Sequence, residues 1–118
     1  MNTFKISVPG HFVQDWNTSC EGHATDIAKG ASDPATVQAF TELDKALTDT
    51  PARNHGRGTR HVIELSEQGV RFLAAEAKYR YEFNAPASNN PYGVEDPDPV
   101  ARYAASRVMK ACAKALAS

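Results

Sequence analysis

Phe4, Ile6 and Val8 alternate with Lys5 and Ser7 near the start of the chain. A period of two matches side chains alternating across a pleated strand, so this run predicts a half-buried β-strand ended by Pro9-Gly10. The next clear pattern has a helical period. Val37, Phe40, Leu43 and Leu47 follow Ser32-Asp33-Pro34. A small polar residue there caps a helix, and proline is tolerated in the first turn because its missing N–H would be unpaired anyway. This helix should stop before Pro51, since the residue preceding proline is pushed out of the α region. His61-Val62-Ile63-Glu64-Leu65 reads as a second strand. Ser66 then serves as an N-cap, with Glu67 near the positive end of the helix dipole. Val70, Leu73, Ala74, Ala77 and Tyr81 mark a helix of about 17 residues. Asp98-Pro99 repeats the cap-then-proline signature, and Val100, Tyr103, Ala104, Val108, Ala111 and Ala115 mark one face of a final, alanine-rich helix.

Two stretches are harder to read. In residues 11–31, Phe12, Val13 and Trp16 form one short helical face and Ile27 begins a weaker one, with Gly22 and Gly30 interrupting. Residues 84–99 form a Pro/Asn-rich loop, with four prolines, two adjacent asparagines and a Tyr92-Gly93 step. Loops this long are usually functional or disordered. The pattern predicts a single α+β domain over 1–118, with a small sheet of two or three strands packed by about three helices. Two strands alone make a marginal sheet, so either a third lies in 11–31 or strands pair across a homodimer.

Composition narrows the classes. The 118 residues are one domain's worth, 42% hydrophobic and 23% charged, with a net charge of −1. Three lysines face seven acids in residues 1–50, a balance of −4; ten basic residues face seven acids over 51–118, a balance of +3. Surfaces that bind polyanions broadly are usually strongly basic, so only a local anion site is expected. Two cysteines, Cys20 and Cys112, are too few for a disulfide framework. No apolar run approaches the roughly 20 residues needed to span a bilayer, and Met1–Lys5 lacks the basic flank and apolar core of a signal peptide. A cytoplasmic protein with no membrane partner is expected.

The densest chemistry lies in Arg53-Asn54-His55-Gly56-Arg57-Gly58-Thr59-Arg60-His61, three arginines and two histidines without an acid. Residues 51–60 read as a basic Gly/Arg loop. Arginine offers a planar fork of donors for phosphate, and glycine lets the backbone approach. Arg53, His55, Arg57 and Arg60 are therefore candidate anion contacts, although the run is no Walker-type loop. Tyr79, Arg80, Tyr81 and Phe83 cluster near a helix end, where aromatics beside arginine can stack bases. Helical spacing assigns Tyr81 to the core and leaves Tyr79, with Tyr92 in the loop, as exposed contact candidates. Aromatics are enriched at protein interfaces.

His11, Cys20 and His23 are spaced for a metal, with His55, His61 or Cys112 as completing ligands, but no second Cys or His pair accompanies them. Either cysteine beside a histidine could be a nucleophile, yet Cys112 sits among alanines, where a small buried thiol is the default. Glu64, Glu67, Glu76 and Glu82 read as solvated strand and helix faces. Neither the zinc-deaminase signature nor Gly-x-Ser-x-Gly occurs, so no catalytic residues and no cofactor are implied.

The strand Thr3–Val8 followed by His11, the strand-to-helix run Arg60–Val70 and the alanine-rich helix Ala101–Ala111 together resemble small accessory proteins encoded by bacteriophages of actinobacteria. That resemblance covers about half the chain and implies an intracellular, non-structural phage protein that binds a host component. The leading expectation is thus a small non-catalytic interaction protein with a host-protein partner. A nucleic-acid binder using Arg53, Arg57, Arg60 and Tyr79 is the alternative, and a small metal protein or enzyme built on His11, Cys20 and His23 is the third.

Overall fold

In the computed structural model, β1 (Thr3–Pro9) and β2 (Arg60–Ser66) pair antiparallel. The structure describes residues 2–19, 30, 33–49 and 60–117. The register sets Phe4 opposite Leu65, Ile6 opposite Ile63 and Val8 opposite His61. These positions line the inner face, where Ile6, Val8, Ile63 and Leu65 are buried, while Lys5, Ser7, Val62 and Glu64 face solvent. One-sided burial fixes the register, because a one-residue slip would turn the whole apolar set outward.

Four helices among the described residues cover the inner face: α1 (Gly10–Ser19), α2 (Pro34–Thr48), α3 (Glu67–Phe83) and α4 (Pro99–Ala117). The chain passes directly from β1 into α1, and Phe12, Val13 and Trp16 enter the core from there. Residues 11–19 are thus helical; of the rest of the stretch that the pattern left open, 20–29 and 31 lie outside the described residues. The sheet of the described residues has two strands, joined by pairing within the chain. Phe40, Leu43 and Leu47 from α2, Val70, Leu73 and Ala77 from α3, and Ala104, Val108 and Cys112 from α4 complete one core. The small α+β architecture expected from the pattern is the one observed.

The predicted caps form. Asp33 accepts the Thr36 N–H at 2.9 Å, and Asp98 accepts those of Val100 and Ala101 at 2.9 and 3.3 Å. At α3 the cap is shared between helices. Ser66 Oγ accepts the Gly69 N–H at 3.2 Å. In a reciprocal cap the third helical residue would reach back to the cap's own N–H, but here that residue is Gly69. Glu42 of α2 takes the role instead, accepting from Ser66 N at 3.2 Å and from Ser66 Oγ at 2.8 Å. A Cβ on Gly69 would collide with Glu42 Oε1 and lie 3.2 Å from Leu65 Cβ, so the missing side chain makes room for the incoming carboxylate. This ties α2 to the β2–α3 corner.

The inward face of α4 differs from the predicted one. Ala101, Ala104, Ala105, Val108 and Cys112 are buried, and Ala111 and Ala115 pack partly against the core. Val100 and Tyr103, expected inward, are 56% and 63% exposed. Alanine is small enough to sit on either side of a helix, so an alanine-rich sequence marks its buried stripe weakly. The alanine stripe lets α4 lie close against α3 and β1.

Candidate interaction surface

The predicted 84–99 loop is built around two asparagines. Asn90 Nδ2 donates to the carbonyls of Phe83 and Ala85, both at 2.8 Å, satisfying acceptors left open where α3 ends. Its Oδ1 accepts the N–H groups of Tyr92 at 2.8 Å and Val94 at 3.3 Å. Asn84 Nδ2 donates to the Arg80 carbonyl at 2.9 Å, and its Oδ1 accepts the Asp98 N–H at 3.0 Å. One asparagine thus folds the loop back on the helix end, and the other joins the end of α3 to the start of α4. A short 3-10 turn, Ala87–Asn89, completes the path. At Gly93 φ is +70°, a conformation that suits glycine at the turn after Tyr92.

This path carries Tyr92 onto α3. Its ring centroid lies 5.3 Å from that of Tyr79 and 6.1 Å from that of Phe83, and Tyr79 and Phe83 are 5.9 Å apart. The three rings remain 47%, 39% and 50% exposed at Tyr79, Phe83 and Tyr92. They form a solvent-facing aromatic triangle in the distance range of favourable ring pairs. Two candidates far apart in sequence, Tyr79 and Tyr92, are therefore brought together.

The neighbouring residues of the 79–83 run do other work. Arg80 forms an ion pair with Asp15 of α1 at 2.6 Å, with its guanidinium over the rings of Phe12 and Trp16 at 5.6 and 5.7 Å. It locks α1 to α3, and so is not the arginine that would accompany a base stacked on Tyr79. Tyr81, expected in the core, is instead only half-buried and lies outside the core cluster, because its ring faces the guanidinium of Arg102 at 4.1 Å. Glu64 and Glu67 are exposed as expected, whereas Glu76 and Glu82 are half-buried.

Of the basic run, Arg53, His55 and Arg57 lie outside the described residues. Arg60 is exposed at the first position of β2, opposite Pro9. His61 is buried on the inner face of the sheet, so it leaves the surface-exposed basic set. Of the metal candidates, Cys20 and His23 also fall outside the described residues. His11 Nε2 stands 3.9 Å from Asp98 Oδ2, while Nδ1 is shielded without a hydrogen-bond partner. Among the described residues no group of three or more His, Cys, Asp or Glu side chains is placed to hold a metal ion. Burial pushes the Cys112 thiol up to about 11, which keeps it protonated and unreactive at neutral pH. No described helix is long and apolar enough to cross a membrane.

Sequence reasoning passed over the polar row on α4, where Arg102, Tyr103, Ser106 and Lys110 border an open groove with Tyr81 and the loop prolines. Its signal was available: α4 carries four cations and no acid. Neither a protein-family model, nor a curated protein, nor a solved structure matches the chain.

Proposed function

We propose that the protein is a non-catalytic interaction module that docks a protein partner through Tyr79, Phe83 and Tyr92. One observation carries the reading: three aromatic rings from two elements meet at the surface, held by a loop that Asn90 pins in place. Clustered, pre-positioned aromatics are typical anchors of protein interfaces, because they bury a large area while losing little side-chain freedom. A protein fits this face better than a nucleic acid does. Stacked bases bring phosphates that need cations, and Arg80, the arginine within the 79–83 run, is engaged by Asp15. The resemblance to phage accessory proteins makes a host protein the expected partner.

The test is affinity capture from host lysate, followed by reconstitution with the purified partner. Tyr79→Ala with Tyr92→Ala should weaken the reconstituted complex by about 2 kcal/mol or more, as loss of an aromatic hot spot does. An unchanged affinity would refute the assignment. A captured protein that proves to be a second copy of this chain would replace the host partner with self-association.

A further inference from the structure

No acid interrupts α4 from Pro99 to Ala117, while Arg102, Arg107, Lys110 and Lys114 all lie on it. Arg102, Ser106 and Lys110 succeed one another at steps of four, so they form a row along one side of the helix. The row borders an open groove of about 710 Å³, also lined by Tyr81, Pro86, Pro97 and Tyr103. Among the described residues no carboxylate pairs with Arg102, Arg107 or Lys110. Arg102 is nonetheless held in place. Its guanidinium lies 4.1 Å from the Tyr81 ring centroid, and its Nε donates to the Tyr81 carbonyl at 3.4 Å. A positioned cation without a counter-charge, followed by a second one along the same groove, calls for an anionic ligand.

The surroundings select the kind of anion. Glu95, Asp96 and Asp98 are exposed beside Pro97 and Pro99. A nucleic-acid strand, charged at every step, would be repelled at that end of the groove. A peptide can place carboxylates at the cations alone, and walls of proline and tyrosine suit an extended chain. The spacing agrees as well. Arg102 and Lys110 are eight helical residues apart, about 12 Å at 1.5 Å per residue. In an extended peptide, residues four apart lie on the same side and are separated by about 13 Å.

We propose that this groove binds an extended acidic peptide segment with two carboxylates four residues apart, one meeting Arg102 and the other Lys110. The site is separate from the aromatic triangle and stands without it. The test is fluorescence anisotropy with labelled twelve-residue peptides carrying Glu at positions i and i+4, Glu at i and i+2, or Gln at i and i+4, alongside a single-stranded thymidine dodecamer. The i, i+4 Glu peptide should bind best, with an affinity that falls as salt rises. Arg102→Ala and Lys110→Ala should each weaken it about threefold and together about tenfold, as expected for exposed ion pairs. Lys5→Ala, on the outer face of the sheet, should leave it unchanged. Lys110 is exposed, so its variant keeps the fold and reads the site even if Arg102→Ala does not. The proposal fails if no peptide binds, if Lys5→Ala weakens binding as much, if the two Glu spacings bind equally, or if the oligonucleotide binds more tightly than the peptide.

Discussion

Glycine at the third position of a helix ordinarily costs stability, and replacing it with alanine should recover about 0.5–1 kcal/mol. At Gly69 the opposite is expected. A new Cβ would occupy the place of Glu42 Oε1, which accepts both hydrogen bonds from Ser66. The Glu42 side chain can swing away, but those two bonds are then lost. At a half-buried carboxylate they are worth about 1 kcal/mol each. Gly69→Ala should therefore destabilise by about 1 kcal/mol net, and Glu42→Ala by about 2 kcal/mol. With Glu42 already replaced, the nearest of the remaining contacts is Leu65 Cβ at 3.2 Å, and the alanine's helix preference should make it neutral or stabilising. The two substitutions are thus coupled by about 2 kcal/mol, well beyond the additivity seen for independent sites. Urea unfolding followed by Trp16 fluorescence reads this cleanly, since Trp16 is the only tryptophan and is buried. If Gly69→Ala destabilises equally with and without Glu42, the shared cap is not what requires glycine here.

Two further expectations concern ionisable groups. Cys112, whose pKa is pushed up from 9.0 to about 11 by burial, should resist iodoacetamide in the native protein at mildly alkaline pH and react once denatured, as peptide mapping would read. Because its folded value is raised, the stability gained by keeping this thiol neutral is complete below about 9 and lost as pH rises towards 11, so the urea midpoint should fall across that window. Asp33 has its carboxyl held below the usual value, first by the Thr36 backbone N–H and then by the Thr36 hydroxyl. A depressed folded value contributes stability above the ordinary pKa and loses it as pH falls through the folded one. Asp33→Asn keeps a capping side chain without the charge, so its deficit in urea midpoint should shrink on acidification; a deficit that persists in acid would contradict the cause assigned.

The elements that carry a strong period are legible in the amino-acid pattern itself. Ile6 and Val8, Ile63 and Leu65, and the Phe40–Leu43–Leu47 face all point inward as their spacing implies. Asp33, Ser66 and Asp98 cap where their chemistry suggests. The first helix is only faintly marked, because Phe12, Val13 and Trp16 are its apolar content and Gly10 opens it. The buried side of α4 is misleading at Val100 and Tyr103, since alanine distinguishes the two sides of a helix too weakly. The aromatic surface is half legible. Exposure of Tyr79 and Tyr92 follows from helical spacing and loop composition, but their meeting depends on the asparagine hydrogen bonds that fold the loop back, a tertiary effect that composition does not encode. The role of Arg80 is hidden for the same reason, as its partner Asp15 is distant in sequence. Glu42 as the missing half of the α3 cap has no local signal beyond Gly69 standing where glutamate or glutamine is preferred.

The most direct test of the proposed docking surface is site-specific photo-crosslinking in lysate of the proposed host. Benzoylphenylalanine would replace Phe83, within the aromatic triangle, or Val62, which is 66% exposed on the outer face of the sheet. Docking through the triangle should give a discrete heterologous adduct from position 83 that disappears when Tyr79 and Tyr92 are both alanine, with none from position 62. An adduct from position 62 and none from 83 would contradict it.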